Sequence, residues 1–373
     1  MVRVAIVGCG RVADQHVEEL RYIPDTSIVG FCDVEELLAA QMVERWSTGA
    51  AYSDIAQMIE ETHPDVIHIT TPPQSHYALG MMCLEANCHV LMEKPFALNT
   101  VEAAALIDKA RSARARITVC HNAQYSHAAI RMRRQIRNGV LGGPPVHMES
   151  VWCFPFTDPG YAKAILGDSG HWIRSLPGRY LHDILPHGIA RIAEYVHDEP
   201  YVSAVGTVSP LLTELGEHDI IDELRVIISD RRNMTAYYTF SSQITPPVKQ
   251  FRMYGPRGSL ILDHNRQTVV RIPRDYPYYL NHFIGPLSEA RSHIGNAFHN
   301  MSSFVQRRHY FEYGRRYLIS EFYKAIETGA PAPVTECKIL VTSQIMDCVF
   351  AQLAQQITSP DDSHRPVSRS RAT

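Results

Sequence analysis

Residues 2–33 read VRVAIVGCGRVADQHVEELRYIPDTSIVGFCD. A short apolar run, Val2–Val7, stops at Gly8-Cys9-Gly10-Arg11-Val12-Ala13, and a second run, Thr26–Cys32, stops at Asp33. The runs have the length and composition of buried strands, and the spacing over 14–21 predicts a helix between them. G-x-G-x-x-G/A between a strand and a helix is a dinucleotide-binding turn. Gly8 permits the tight turn, Gly10 lets the backbone approach a pyrophosphate, and Ala13 lets helix and strand pack closely. Arg11 and Val12 open a helix whose unpaired N–H groups and dipole favour phosphate. Asp33 stands twenty positions after Ala13. A carboxylate there accepts bonds from both ribose hydroxyls and repels a 2′-phosphate, so NAD is favoured over NADP. Arg11 softens that preference, because it could pair with a 2′-phosphate. The alternative for Asp33 is a simple turn residue.

Outward from this stretch the alternation continues. Helices are expected over 34–46, 55–61, 77–85 and 101–112, and strands over 66–70, His89–Met92 and 117–120. Near-continuous apolar strands alternating with helices make a parallel sheet covered on both faces, with right-handed crossovers. The fold class is α/β. Residues 1–121 read as a Rossmann dinucleotide-binding domain, and 122–357 as an α+β domain for substrate and oligomerisation. The latter carries a helix over 130–138 closed by Gly139, then strands over 145–151, 203–208, 224–229, 233–240, 249–254 and Ser259–Asp263. The Gly255-Pro256-Arg257-Gly258 stretch reads as a hairpin turn. Short turns between consecutive strands imply an open, mostly antiparallel sheet. Closing helices are expected over 318–328 and 342–353, and a disordered polar tail over 358–373.

The 373 residues suit two domains, and 45% hydrophobic with 20% charged residues is ordinary for a globular protein. A net charge of −3 gives no electrostatic case for nucleic acid or an anionic membrane. Apolar runs fall short of a membrane span, and MVRVAIVGCG lacks a signal-peptide pattern. The eight cysteines form no Cys-x-x-Cys pair. A reducing cytoplasm is the expectation.

Three further stretches carry chemistry. Thr70-Thr71-Pro72-Pro73-Gln74-Ser75-His76 follows the third strand of the alternation, at the carboxyl edge of the sheet where ligands of open α/β sheets bind. Glu93-Lys94-Pro95 closes an apolar strand, although burying an unpaired ammonium costs several kcal/mol. A lysine at the cofactor crevice can polarise a carbonyl or help deprotonate an alcohol. Its alternative is a solvated Lys94 beside a Glu93–arginine ion pair. In His182-Asp183-Ile184-Leu185-Pro186-His187, Asp183 and His187 share a helix face. Pro186 is tolerated if the helix starts near Asp183, which would then be its N-cap. A His182/Asp183/His187 metal site is the third option, and the expectation is no metal. The 151–180 stretch is long and aromatic: Trp152, Phe154, Tyr161, His171, Trp172 and Arg174 either cover a polyol or sugar, or pack on one another. Over 286–305 apolar residues recur at helical spacing with basic and aromatic flanks, which suits core or oligomer packing, or a membrane or partner surface.

The TPP-x-x-H loop, the Glu-Lys-Pro tripeptide and the Asp-x-x-x-His pair, following the glycine turn in this order, resemble the Gfo/Idh/MocA (glucose-fructose oxidoreductase / inositol dehydrogenase) family. The resemblance spans nearly the whole chain. It implies hydride transfer between nicotinamide and a secondary hydroxyl of a carbohydrate-like small molecule: a sugar, nucleotide sugar or polyol. Lys94, often followed by a cis proline bond, would reach the nicotinamide and the reacting hydroxyl. His187 would exchange the hydroxyl proton, and Asp183 would orient the substrate or the imidazole. Gly8, Gly10, Arg11, Val12, Ala13, Asp33, Thr70, Thr71, Pro72, His76, Glu93 and Lys94 would line the cofactor. Asn122, Tyr125, Trp172 and Asp183 are candidate substrate contacts. The family's open sheet implies a homo-oligomer, dimer or tetramer. Two other uses of the same residues remain: redox-neutral glycosidase or epimerase chemistry on a retained NAD, and non-catalytic NAD(P) sensing.

Overall fold

The computed structural model describes residues 1–156, 166, 168, 170–272, 277–306 and 313–358. Six parallel strands form the first sheet in the order β3-β2-β1-β4-β5-β6. They are β1 Val2–Val7, β2 Thr26–Cys32, β3 Ala50–Tyr52, β4 Val66–Ile69, β5 His89–Met92 and β6 Ile117–Val119. Helices α1 (Arg11–Leu20), α2 (Glu36–Trp46), α3 (Ile55–Thr62), α4 (His76–Glu85) and α5 (Thr100–Ser112) connect them. Val4, Ala5 and Ile6 are wholly buried because helices cover both faces. The strand order reverses between β1 and β4, and this switch point opens the ligand crevice at the strands' carboxyl ends. Strand β3 was not expected: three residues, Ala-Ala-Tyr, hold too little pattern to read.

The second sheet runs β13-β12-β11-β7-β10-β9-β8. Its strands are β7 His147–Cys153, β8 Tyr201–Thr207, β9 Glu223–Ser229, β10 Thr235–Ser241, β11 Val248–Tyr254, β12 Ser259–Asp263 and β13 Thr268–Ile272. Only the central β7–β10 pair is parallel. In β9, Leu224, Val226 and Ile228 are buried while Arg225 and Ile227 point out, the alternation of a sheet with one covered face. Among the described residues, the helices that accompany this sheet and the end of the chain are α6 (His127–Arg137), α7 (Arg179–Ala193), α8 (Pro210–Glu214), α9 (Tyr278–Val305), α10 (Tyr313–Thr328) and α11 (Glu336–Thr358).

Helix α7 corrects the expected start at Asp183. It begins at Arg179, so Asp183 lies in its second turn and is not an N-cap, and Pro186 sits inside the helix. A proline there costs about 3 kcal/mol. Tyr180, Leu181, Ile184, Leu185, Ile189 and Ile192 are all buried to within 2%. At about 1.5–3 kcal/mol per buried side chain, they outweigh that cost.

The last helices tie the two layers together. Leu318, Ile319 and Phe322 of α10 complete the core of the first sheet, while Ile345, Val349 and Leu353 of α11 enter the core of the second. Residues Glu336–Gln356 are long and apolar enough by composition to cross a membrane. Here Ile339 packs in one core and Ile345 in the other, so this helix serves as a joint between them.

Candidate active site

At the end of β1, Gly8 has φ +91°, and a Cβ on it would stand 2.7 Å from the Thr71 backbone nitrogen. Only glycine fits that approach. Gly10 faces open space and precedes α1, whose first N–H groups have no side-chain cap. Ala13 is fully buried, and Arg11 is exposed at the mouth of the turn. The Asp33 carboxylate accepts from the Cys9 amide at 2.7 Å and the Glu35 amide at 3.0 Å. Those bonds fix an anion at the tip of β2, where a ribose would meet it. Glycine turn, uncapped helix end and fixed carboxylate together fit a dinucleotide.

The 70–76 loop closes the next side of the crevice. Thr70 Oγ1 donates to the Gly8 carbonyl at 2.6 Å, and Ser75 Oγ donates to Thr71 Oγ1 at 2.7 Å. Pro72 is exposed at the rim. His76 is completely buried, with one ring nitrogen 2.9 Å from the Thr71 carbonyl and the other 2.9 Å from the Pro95 carbonyl. It clamps the two loops from behind and presents no surface to a ligand. Gln74 Nε2 donates to the Trp172 carbonyl and to Ser175 Oγ, both at 2.8 Å, which joins this loop to the other wall of the cleft.

Glu93 and Lys94 point in opposite directions. Glu93 turns inward: Oε1 lies 2.9 Å from His16 Nε2, with Arg315 Nε at 3.9 Å, and Oε2 accepts from the Lys94 amide at 3.0 Å. Burial would raise its pKa, but the His16 hydrogen bond and charge, with Arg315 and Lys94, hold it far below the usual carboxylate range. Glu93 therefore stays ionised and anchors the strand end, with 7% of its surface exposed. Lys94, followed by a cis bond to Pro95, reaches the other way. Its Nζ donates to Asp183 Oδ1 at 2.5 Å and to the Asp183 carbonyl at 3.2 Å. The half-buried ammonium is thus paired across the cleft, by a residue 89 positions away.

One turn on from Asp183, His187 lies flat on Trp152, ring centroids 5.1 Å apart and planes at 13°. Gly188 brings α7 onto the sheet: a Cβ there would stand 2.2 Å from the Tyr238 ring. Burial, then the positive charges of Lys94 and Lys249 and the neighbouring His121, push the His187 pKa well below 6.5. The imidazole is neutral at neutral pH and able to accept a proton.

The cleft floor holds residues outside the expected constellation. Lys249 on β11 pairs in register with Trp152 on β7, and its Nζ sits 5.0 Å from the Trp152 ring. Arg191 lies 5.3 Å from the same ring and 2.9 Å from His264 Nδ1. Trp152 belongs to β7 and the floor rather than to a covering loop. Period-2 alternation on β11 was the available signal for Lys249, but its partner strand could not be read locally.

Other candidates lie elsewhere. The Tyr125 hydroxyl donates to the Pro333 carbonyl, and its ring stacks on Tyr317 and under Arg133. Asn122 opens the short turn that follows His121 and is half-buried, and Trp172 forms the rim. His182 turns from Asp183 to stack on Phe350 at 4.8 Å, which breaks up the conceivable His182/Asp183/His187 metal set. Arg174 is paired with Glu217 at 2.6 Å, and Tyr161 lies outside the described residues.

Comparison with known proteins agrees with the fold. Residues 2–121 match the family model described as the Gfo/Idh/MocA oxidoreductase family, NAD-binding Rossmann fold. These residues carry the NAD-binding domain of that family. The chain is 32% identical over 142 residues to the D-glucoside 3-dehydrogenase of Escherichia coli (strain K12), a match covering 38% of this chain and 40% of that protein. It is 24% identical over 271 residues to the myo-inositol 2-dehydrogenase of Thermotoga maritima, covering 72% and 77% of the two chains. Among solved structures, UDP-N-acetylglucosamine 3-dehydrogenase from Acidithiobacillus ferrooxidans superposes with a TM-score of 0.67 at 19% identity, over 94% of this chain and 98% of that one. At that identity the superposition speaks to fold. The chain thus sets an NAD-binding Rossmann sheet, the part matched by the family model, beside a second, mixed sheet.

Proposed function

We propose that this oxidoreductase moves hydride between NAD(H) and a secondary hydroxyl or ketone of a sugar, nucleotide sugar or polyol. The Lys94–Asp183 pair carries the reading: it brings a cation from the nucleotide sheet and a carboxylate from the second layer to one point, with His187 a turn away. Residues 1–121 would hold the cofactor and 122–357 the substrate. Gly8, Gly10 and the start of α1 would take the pyrophosphate, Asp33 the ribose, and Thr71, Pro72 and Lys94 the nicotinamide end. The fixed Asp33 carboxylate supports NAD over NADP. Bound NAD would supply the hydride acceptor. The neutral His187 imidazole takes the hydroxyl proton, while the Lys94 ammonium stabilises negative charge growing on the oxygen. Asp183 orients the Lys94 donor and a neighbouring substrate hydroxyl. All eight cysteines are free thiols, in keeping with a reducing cytoplasm.

The names of the relatives, D-glucoside, myo-inositol and UDP-N-acetylglucosamine dehydrogenases, support a polyhydroxylated substrate. The test is a panel of sugars, nucleotide sugars and polyols with NAD or NADP, following reduced nicotinamide. One substrate class turning over with stoichiometric NADH supports the reading. Product without NADH release replaces it with redox-neutral chemistry, and no response to either nucleotide in binding or turnover overturns it.

A further inference from the structure

Helix α9 (Tyr278–Val305) stands inside out on the fold. Phe283, Leu287, Ile294, Phe298, Met301 and Val305 are each between 58 and 79% exposed. At ~100° per residue they fall within about 60° of one another on the helix circumference. Its opposite side, bearing Ser292, Asn296 and Ser303, faces the protein, and Asn296 and Ser303 are buried. Asn296 explains that orientation. Its side chain accepts from the Val269 amide at 3.0 Å and donates to the Val269 carbonyl at 2.9 Å. It thereby occupies a backbone pair on β13, the edge strand of the second sheet. The polar face is committed to capping an edge, and the apolar face is left outward.

We propose that this outward stripe is a self-association surface, on which two copies of the chain pack α9 against α9. Three observations select a second copy. First, the steps from Phe283 through Leu287, Ala290, Ile294, Phe298 and Met301 to Val305 run four, three, four, four, three, four, the mixture of threes and fours that lines a helix–helix seam. Second, the six named residues expose roughly 800 Å² between them, about what one partner contributes to a standard stable interface. Third, residues 278–305 hold one acid and one base, Glu289 and Arg291. A membrane-surface helix carries a Lys/Arg-rich polar face, whereas the polar face here is serine and asparagine turned toward β13. A self-complementary neutral stripe meets itself across a two-fold axis without charge repulsion.

Sedimentation velocity on the full chain and on Phe283→Glu/Phe298→Glu tests this. The wild type should sediment as an oligomer, and the variant should fall to half its mass with melting and NADH binding unchanged. Phe283→Lys/Phe298→Lys should behave alike alone, and mixing the Glu and Lys chains should restore association. In the wild type, amide exchange of 283–305 should slow as concentration rises through association, a reading independent of either variant's folding. A wild-type monomer throughout the concentration range, an oligomer indifferent to both double substitutions, or recovery of a monomer on phosphatidylcholine vesicles would each overturn the proposal.

Discussion

On the Rossmann side of the cleft, the groups that would meet the proposed cofactor are mostly backbone: the Gly8–Ala13 turn, uncapped amides of α1, and a carboxylate held by the Cys9 and Glu35 amides. The facing side offers side chains: Asp183 and His187 from α7, Trp152 from β7, Lys249 from β11. Backbone geometry is set by a local turn and survives wide sequence change. Side-chain geometry depends on which strands and helices are brought together, and can be altered one residue at a time. The first wall suits a constant cofactor and the second a variable substrate, with Lys94 crossing from one to the other.

The largest effect should come from that crossing residue. Lys94→Met keeps the side-chain length and removes the ammonium, so turnover should fall about 10²–10⁴-fold, the range for a positioned proton-handling group. NADH affinity, measured by fluorescence titration, should change only a few-fold. Equal losses of turnover and NADH affinity would break the comparison by assigning Lys94 to the nucleotide wall alone.

The two walls also differed in how far they could be read. Val2–Asp33 encodes strand, turn, helix, strand and acid contiguously, so the first sheet was legible from local pattern, except for the three-residue β3. The Glu-Lys-Pro and Asp-x-x-x-His motifs named the residues that meet, Lys94 and Asp183. They could not name the Trp152–Lys249 floor, because that contact depends on β11 pairing with β7 across nearly a hundred residues. The partner of Tyr125 was out of reach for the same reason: the carbonyl that takes its hydroxyl belongs to Pro333, 208 positions on. His76 sits in a loop motif yet is consumed by clamping two carbonyls. In α9 the amphipathic period was visible, but not that Asn296 would turn the polar side inward.

Gly188 measures how closely the side-chain wall must be seated. Gly188→Ala would drive a methyl into Tyr238, so α7 must shift away from the sheet. Stability should drop by about 1–3 kcal/mol, as for other overpacked cores. Denaturant unfolding reads the loss, and KM for substrate should rise more than KM for NAD. An unchanged midpoint would mean that α7 is not seated by this contact.

On the backbone wall the expected change is smaller. Asp33→Ala removes the anion and leaves the Cys9 and Glu35 amides without that acceptor. Preference for NAD over NADP, as a ratio of kcat/KM, should narrow by about tenfold, equivalent to ~1.4 kcal/mol. A ratio that stays fixed would remove Asp33 from ribose recognition.

The smallest effect is the sharpest test of the side-chain wall. Burial, Lys94, Lys249 and His121 all disfavour the charged imidazole of His187, so its pKa lies well below 6.5. A base must be unprotonated to accept the hydroxyl proton. The rate of alcohol oxidation should therefore stay level as pH falls through 6.5 and decline only where His187 gains its proton, at lower pH. Lys249→Met deletes one of the repelling cations while leaving an apolar chain beside Trp152. The charged form of His187 then becomes easier to make, and the acid limb of the kcat/KM profile should move up by a fraction of a pH unit. Movement of the limb downward would mean that Lys249 acts on His187 by some means other than its charge. A wild-type limb already at or above 6.5 would remove His187 from the proton path and leave Lys94 as the proton acceptor.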